Sequence, residues 1–160
     1  MTTPAPGSSS PAVPGRGADA LQDALAAEHR AVFGYSVIGP RLSGTDRQRA
    51  SNDQLAHEQV RDATSVLLAA AGRTPVGPAA DYPDVYPAGG GTAALAVAAG
   101  LEDTAAAAWR YVYSVAAAAG SAGTALRTLS QQNLTACAVR AARWRAVTDP
   151  ARAAVPFPGI

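Results

Sequence analysis

Two glutamates and one histidine are the residues of this sequence whose spacing could support chemistry. Leu21, Leu25 and Glu28 follow one another at steps of four and three residues. Glu28 therefore lies on the apolar face of a helix. Glu102 interrupts the apolar stripe of a later helical segment in the same way, and His57 lies on the shoulder of another. A buried carboxylate costs several kcal/mol unless it is paired, protonated or metal-bound. These three residues therefore predict a functional or structural site.

Four Ala-rich helical segments must position this site. Gly-Pro, Gly-rich and Asp-Pro breaks bound the segments, which we predict over residues 18–38, 45–71, 92–119 and 122–147. The first two and the last two are joined by short connections, which is typical of antiparallel helical hairpins. About twenty residues separate the hairpins, long enough to cross a bundle whose helices are about 37 Å long.

The ends of the chain differ in composition from the helices. Residues 1–17 are rich in Pro, Ser and Gly, which predicts a disordered tail. Residues 18–148 form the predicted bundle. Residues 149–160 contain a Pro-broken tail, and we expect Phe157 to dock it on the bundle.

The heights of the polar residues along the helices suggest a common layer. At about 1.5 Å per residue, Glu28, His57, Glu102 and Asn133 all fall near mid-height. Two carboxylates and one imidazole suit a single Fe, Mn or Zn ion. His29 lies about 100° from Glu28 and is expected at the helix flank.

A hydrogen-bonded network without metal is the other interpretation of this layer. Glu28 and Glu102 would then be neutralised by His57, by the hydroxyl of Tyr35 and by an arginine. Arg61 on the second helix and Arg140 on the inner side of the fourth are the two candidates. Both interpretations satisfy the buried charges, and the sequence leaves them open.

A known metal-binding pattern matches part of this layer. Glu on helix one, Glu-x-x-His on helix two, Glu on helix three and Glu-x-x-His on helix four define di-iron carboxylate proteins. Glu28, His57 and Glu102 fit this pattern, but Gln54 replaces the glutamate of the second motif. The fourth helix, QQNLTACAVRAARW, has neither ligand.

Most of the chain, including ALAAEHRAVFGYSVIG, HEQVRD and LEDTAAAAWR, resembles an actinobacterial ferritin-like domain family of unknown function. The resemblance implies an all-α, ferritin-like four-helix bundle with a long crossover between helices two and three. It implies a degenerate metal site, and it does not carry over ferroxidase activity. Two inward carboxylates are too few for a di-iron oxidase.

Composition narrows the classes of function. A net charge of +1 gives no electrostatic reason to bind nucleic acid or an anionic membrane. No apolar run approaches the length of a membrane span, and the N-terminus lacks an apolar signal region. Cys137 is the single cysteine, so no intrachain disulfide can form. A cytoplasmic, soluble protein is the expectation.

We therefore expect a ferritin-like protein with a structural, binding or regulatory role and no cofactor. The alternative is an enzyme, a carboxylate oxidoreductase that holds one Fe, Mn or Zn ion through Glu28, His57 and Glu102. Leu55 and Val66 lie away from the core stripe of the second helix, so this second apolar face predicts a homodimer.

Overall fold

The computed structural model describes residue 13 and residues 15–159. Four α-helices form most of this part of the chain: α1 (Gly15–Ile38), α2 (Gly44–Ala70), α3 (Gly91–Ala118) and α4 (Thr124–Thr148). These residues contain no β-strand. The prediction of an all-α four-helix bundle is confirmed, and every helix end lies within three residues of its predicted position.

The predicted N-terminal tail is only partly within the described residues. Residues 15–17 belong to the first turn of α1, where Gly17 is buried. Val13 packs against the core. The rest of the predicted tail, residues 1–12 and 14, lies outside the described residues.

The connection between α2 and α3 runs along the length of α1. Gly72 has a φ of +72°, which ends α2. Arg73 then pairs with Asp19 near the start of α1. Further along, Asp84 pairs with Arg30, so the connection has by then reached the second half of α1.

The tyrosines of this connection anchor it on α1. Tyr82 and Tyr86 pack their rings against Phe33 of α1, with centroids 5.2 and 6.2 Å away. Val85 is fully buried. Because the connection crosses the bundle before α3 begins, α3 runs antiparallel to α1 and parallel to α2. Among the described helices, α3 packs on α4 and on α1, and α1 packs on α2, whereas α2 and α4 make little direct contact.

The interior consists of two apolar clusters with a polar layer between them. One cluster contains Leu21, Leu25 and Trp109, and the other contains Ile38 and Trp144. In every helix the charged residue of the layer falls between the segments that supply the two clusters. The fold therefore places the charged groups of four helices at one height.

The inner faces of α1 and α3 follow the predicted stripes, whereas that of α2 is rotated. The spacing of apolar residues in α2 predicts an inner face made of Ala56, Val60, Ala63 and Leu67, but Ala63 is exposed. The fully or nearly buried residues of α2 are instead Ala50, Asp53, His57, Thr64 and Leu68. His57 therefore lies at the centre of the inner face and not on its shoulder. The error arises because three of these five residues are polar and carry no apolar signal.

The C-terminal tail does not dock through Phe157, so that prediction is wrong. Phe157 has a φ of +57°, and its side chain is 75% exposed. Gly159 makes the contact instead, since its carbonyl accepts a hydrogen bond of 3.2 Å from Arg110 of α3. A Cβ atom at Gly159 would come within 2.9 Å of the carbonyl oxygen of Ala106, so only glycine fits there without a shift.

No helix in residues 15–159 combines the length and the apolar character that crossing a membrane requires.

Candidate functional site

Glu28 of α1 is buried at mid-height, and both of its carboxylate oxygens accept a hydrogen bond. His57 of α2 places Nδ1 2.6 Å from Oε2. Trp109 of α3 donates from Nε1 to Oε1 over 2.7 Å. Glu28 and His57 are 1% and 0% exposed, respectively. The carboxylate is therefore held by hydrogen bonds in place of water.

Glu102 of α3 is the most densely bonded acid of the layer. Its Oε1 accepts hydrogen bonds from the hydroxyl of Tyr35 at 2.6 Å and from Nε2 of His57 at 3.1 Å. Arg140 of α4 donates from Nε to Oε1 and Oε2, at 2.9 and 3.0 Å. Four helices thus meet at one layer, contributing Glu28, His57, Glu102 and Arg140. We call these four residues, with Tyr35, the central network.

A second set of hydrogen bonds supports Tyr35. Trp144 of α4 donates from Nε1 to the Tyr35 oxygen at 2.9 Å and to Oδ2 of Asp53 at 3.0 Å. The ring of Trp144 lies 5.1 Å below the guanidinium of Arg49, within the range of a cation–π contact. This set connects the central network to the surface of α2.

The proton positions of His57 follow from its two neighbours. Both ring nitrogens face carboxylate oxygens, so only an imidazole protonated on both can donate to both. Burial alone would lower the pKa of His57. Hydrogen bonds to Glu102 and Glu28 and their negative charges outweigh burial and raise the pKa to about 9. His57 is therefore an imidazolium cation at neutral pH.

Glu102 shows the complementary shift. Burial would raise its pKa, but the hydrogen bond and charge of His57, followed by Arg140 and Tyr35, outweigh burial and lower it. The pKa of Arg140 is raised, because the charge of Glu102 outweighs the opposing effect of its burial. Two carboxylates are thus matched by two cations.

Two other titratable groups near the layer have raised pKa values. Burial, and then the charge of Glu102, raises the pKa of Asp53. The same two causes raise the pKa of the Cys137 thiol well above its usual value. Cys137 accepts a hydrogen bond from Nη2 of Arg140 at 3.3 Å. A buried thiol of raised pKa is a poor nucleophile, so Cys137 acts as a small buried side chain.

The central network does not fit a metal ion as it is arranged. A metal-bound histidine must offer a lone pair, and both nitrogens of His57 are engaged with carboxylates. The carboxylate of Glu102 is covered by the guanidinium of Arg140, which supplies a cation at the same point. Among the described residues, no group of three or more His, Cys, Asp or Glu side chains is arranged to hold a metal ion.

The structure gathers some of the candidate residues and leaves others apart. Glu28, His57, Glu102, Tyr35 and Arg140 meet in the central network. The remaining candidates lie outside it: Arg61 pairs with Asp62, Gln54 donates to Glu58 on the same helix, His29 contacts the carbonyl of Val76, and Asn133 makes no hydrogen bond to the network. The expectation that Arg61 could neutralise Glu28 or Glu102 is therefore wrong, because its guanidinium is held at the helix surface.

Sequence reasoning missed Trp109, Trp144 and Asp53 as members of the site. Trp109 follows Glu102 by seven residues and Trp144 follows Arg140 by four, so helical spacing places both on inner faces, where they are expected as apolar core residues. The indole N–H of each needs an acceptor when buried, and that requirement was the available signal. Asp53 precedes His57 by four residues, so the two share a helix face.

Comparison with other proteins identifies the family to which the chain belongs. Residues 20–160 match DUF4439, a domain of unknown function. The chain belongs to the DUF4439 family. It is also similar to a conserved hypothetical protein, rv2844, from Mycobacterium tuberculosis, whose crystal structure is known. The two are 30% identical, the alignment covers 84% of this chain and 98% of the other, and the TM-score is 0.74. No curated protein matches the chain.

Proposed function

We propose that this DUF4439 protein is a ferritin-like bundle whose metal centre has been replaced by the central network. The order of the helices supports the superfamily assignment. One antiparallel hairpin is followed by a connection that crosses the whole bundle, and a second hairpin follows, which is the ferritin-like arrangement with one long crossover. The match of Glu28, His57 and Glu102 to the ligand pattern of the first three ferritin-like helices also supports it.

The role proposed for the protein is structural or binding, in the cytoplasm, and not that of an oxidoreductase. One observation carries this proposal: every carboxylate oxygen of Glu28 and Glu102 is engaged by a protein donor, and one of those donors is the cation of Arg140. A ferroxidase needs carboxylates that are free to bridge metal ions. The net charge of +1 gives no reason to propose a nucleic-acid partner.

Elemental analysis of protein purified without chelator tests this proposal. We expect well below one equivalent of Fe, Mn and Zn per chain, and no oxidation of Fe(II) above the rate in buffer. A Glu28→Ala variant is the control, because it removes one ligand position without touching Arg140. One equivalent of metal in the parent, lost in Glu28→Ala, would instead establish the alternative function, a mononuclear carboxylate oxidoreductase.

A homodimer is the second part of the proposal. Leu55 and Val66 are 53% and 69% exposed on α2. They are eleven residues apart, so at about 100° per residue their side chains leave the helix within about 20° of each other. Two large apolar side chains on one exposed face support a helix-to-helix contact with a second copy.

Light scattering at high micromolar concentration tests the dimer. We expect twice the mass of the chain for the parent and the mass of the monomer for a Leu55→Lys, Val66→Lys double variant. Val139→Lys is the matched control, since Val139 is an exposed valine of α4 that the proposed face does not include. A parent that remains monomeric contradicts this part of the proposal.

A further inference from the structure

Arg140 lies between the buried layer and a groove at the surface. Its side chain is 13% exposed, while Glu102, to which it donates, is 0% exposed. The groove is lined mostly by polar residues of α4 and by Asp53 of α2, and it follows the side of the bundle where α2 and α4 make little contact. Arg140 therefore lines the groove and separates it from the buried carboxylate of Glu102.

A divalent cation and Arg140 compete for the same oxygens. Nε of Arg140 reaches both Oε1 and Oε2 of Glu102, at 2.9 and 3.0 Å. A metal ion that uses the lone pairs facing Arg140 displaces this N–H group, and one bound elsewhere on the carboxylate is repelled by the nearby guanidinium charge. In either position the ion must also take a lone pair from His57, which then loses one of its two donated hydrogen bonds.

We propose that Arg140 acts as a built-in cation that keeps divalent metal ions out of the central network, and that its removal turns the network into a metal-binding site. This inference rests on the proposed function, in which the parent protein binds no metal. Removing Arg140 leaves Glu28, Glu102 and the nearby Asp53 with His57 as their only cationic neighbour among the groups of the layer. Carboxylates and an imidazole are suitable ligands for a first-row divalent ion.

Co²⁺ titration followed by visible absorption tests the inference, because protein-bound Co²⁺ has ligand-field bands that report coordination. The parent, Arg140→Met and Arg61→Met are compared. We expect about one equivalent of Co²⁺ in Arg140→Met, with an affinity at least about tenfold above that of the other two proteins. Arg61→Met removes an arginine of α2 that pairs with Asp62, so it controls for the loss of one positive charge.

Two further variants locate the site. Arg140→Lys keeps a cation at this position and should bind Co²⁺ no better than the parent. The double variant Arg140→Met, Glu102→Gln lacks the buried carboxylate that Arg140 covers in the parent, and it should also fail to bind Co²⁺. Co²⁺ binding that persists in this double variant would overturn the assignment of the site.

Each outcome of the Co²⁺ titration either supports or overturns the inference. If folded Arg140→Met takes up no Co²⁺, the inference is wrong and the proposed function stands. If the parent itself binds one equivalent in the same site, both are wrong. If Arg140→Met is unfolded without metal, Co²⁺ must restore its helical circular dichroism, since metal binding then becomes part of the folding free energy. Failure to restore it overturns the inference.

Discussion

Replacing Arg140 by Met should destabilise the protein strongly and in a pH-dependent way. The variant retains the length of the side chain but leaves Glu102 buried without its arginine. Breaking a buried ion pair by removing one partner typically costs about 3–5 kcal/mol. Arg61→Met should cost under about 1 kcal/mol, since Arg61 pairs with Asp62 at the surface.

Protonation of Glu102 sets an upper limit on the cost of the unpaired charge. A glutamate with an ordinary pKa of 4.5 is neutralised at pH 7 for about 3 kcal/mol, and at pH 5 for under about 1 kcal/mol. In Arg140→Met the folded state would hold a proton that the unfolded state has lost, so stability falls as pH rises above about 4.5. The difference between parent and variant should therefore shrink by about 1.4 kcal/mol for each pH unit towards pH 5.

Urea unfolding in the presence of chelator, followed by circular dichroism at several pH values, measures these differences. The contribution of Arg140 to packing is the same at each pH, so the pH-dependent part isolates the unpaired carboxylate. Two results would refute the reasoning. If both variants are as stable as the parent, no charge pair holds this layer. If Arg140→Met loses the same stability at every pH, the loss comes from packing alone.

Two other predictions concern His57 and a close helix contact. Because the pKa of His57 is raised from 6.5 to about 9 on folding, its contribution of about 3 kcal/mol is complete below about pH 6.5 and is lost as pH rises through 9. NMR titration, with a His29→Asn variant to assign the signals, should show this raised pKa, and a pKa below 6.5 would contradict it. A Cβ atom at Gly34 would lie 2.6 Å from two carbons of Leu101, so Gly34→Ala should cost about 1–3 kcal/mol. A Cβ atom at Gly100 meets nothing within 4 Å, so Gly100→Ala should stabilise α3 by up to about 1 kcal/mol. Thermal unfolding measures the melting temperature of both variants, and equal changes in the two would contradict this prediction.

The fold could be predicted from the residues that end helices more than from the pattern of apolar residues. Gly39-Pro40, Gly72 and the glycines before α3 gave helix ends that agree closely with the structure. The faces were predicted well only for α1 and α3, where large apolar residues define them. In α2, Ala occupies both buried and exposed positions, so alanine carries little information about direction.

The site could be predicted as a layer but not as a set of bonds. The spacing of Glu28 and Glu102 placed both acids inward, and helix rise placed them at one height. The choice between Arg61 and Arg140 depended on the rotation of α2, which the apolar pattern gave incorrectly. Which arginine reaches an acid depends on a few ångströms of helix position, and that is a tertiary property.

The central network helps to fix the rotation and height of the helices in this bundle. Alanines make up much of the core, and uniform small side chains fix neither the rotation nor the height of a helix strongly. A slide of α4 by one turn would move Arg140 by about 5.4 Å and break its bond with Glu102. We predict that replacing Glu28, His57, Glu102 and Arg140 together by leucine leaves a stable helical protein, because apolar residues often substitute for buried ion pairs without loss of stability. Its NMR spectrum should be broad and poorly dispersed and its unfolding less cooperative, since the contacts that select one register are gone. A sharp, well-dispersed spectrum with a cooperative transition would show that packing alone specifies this bundle.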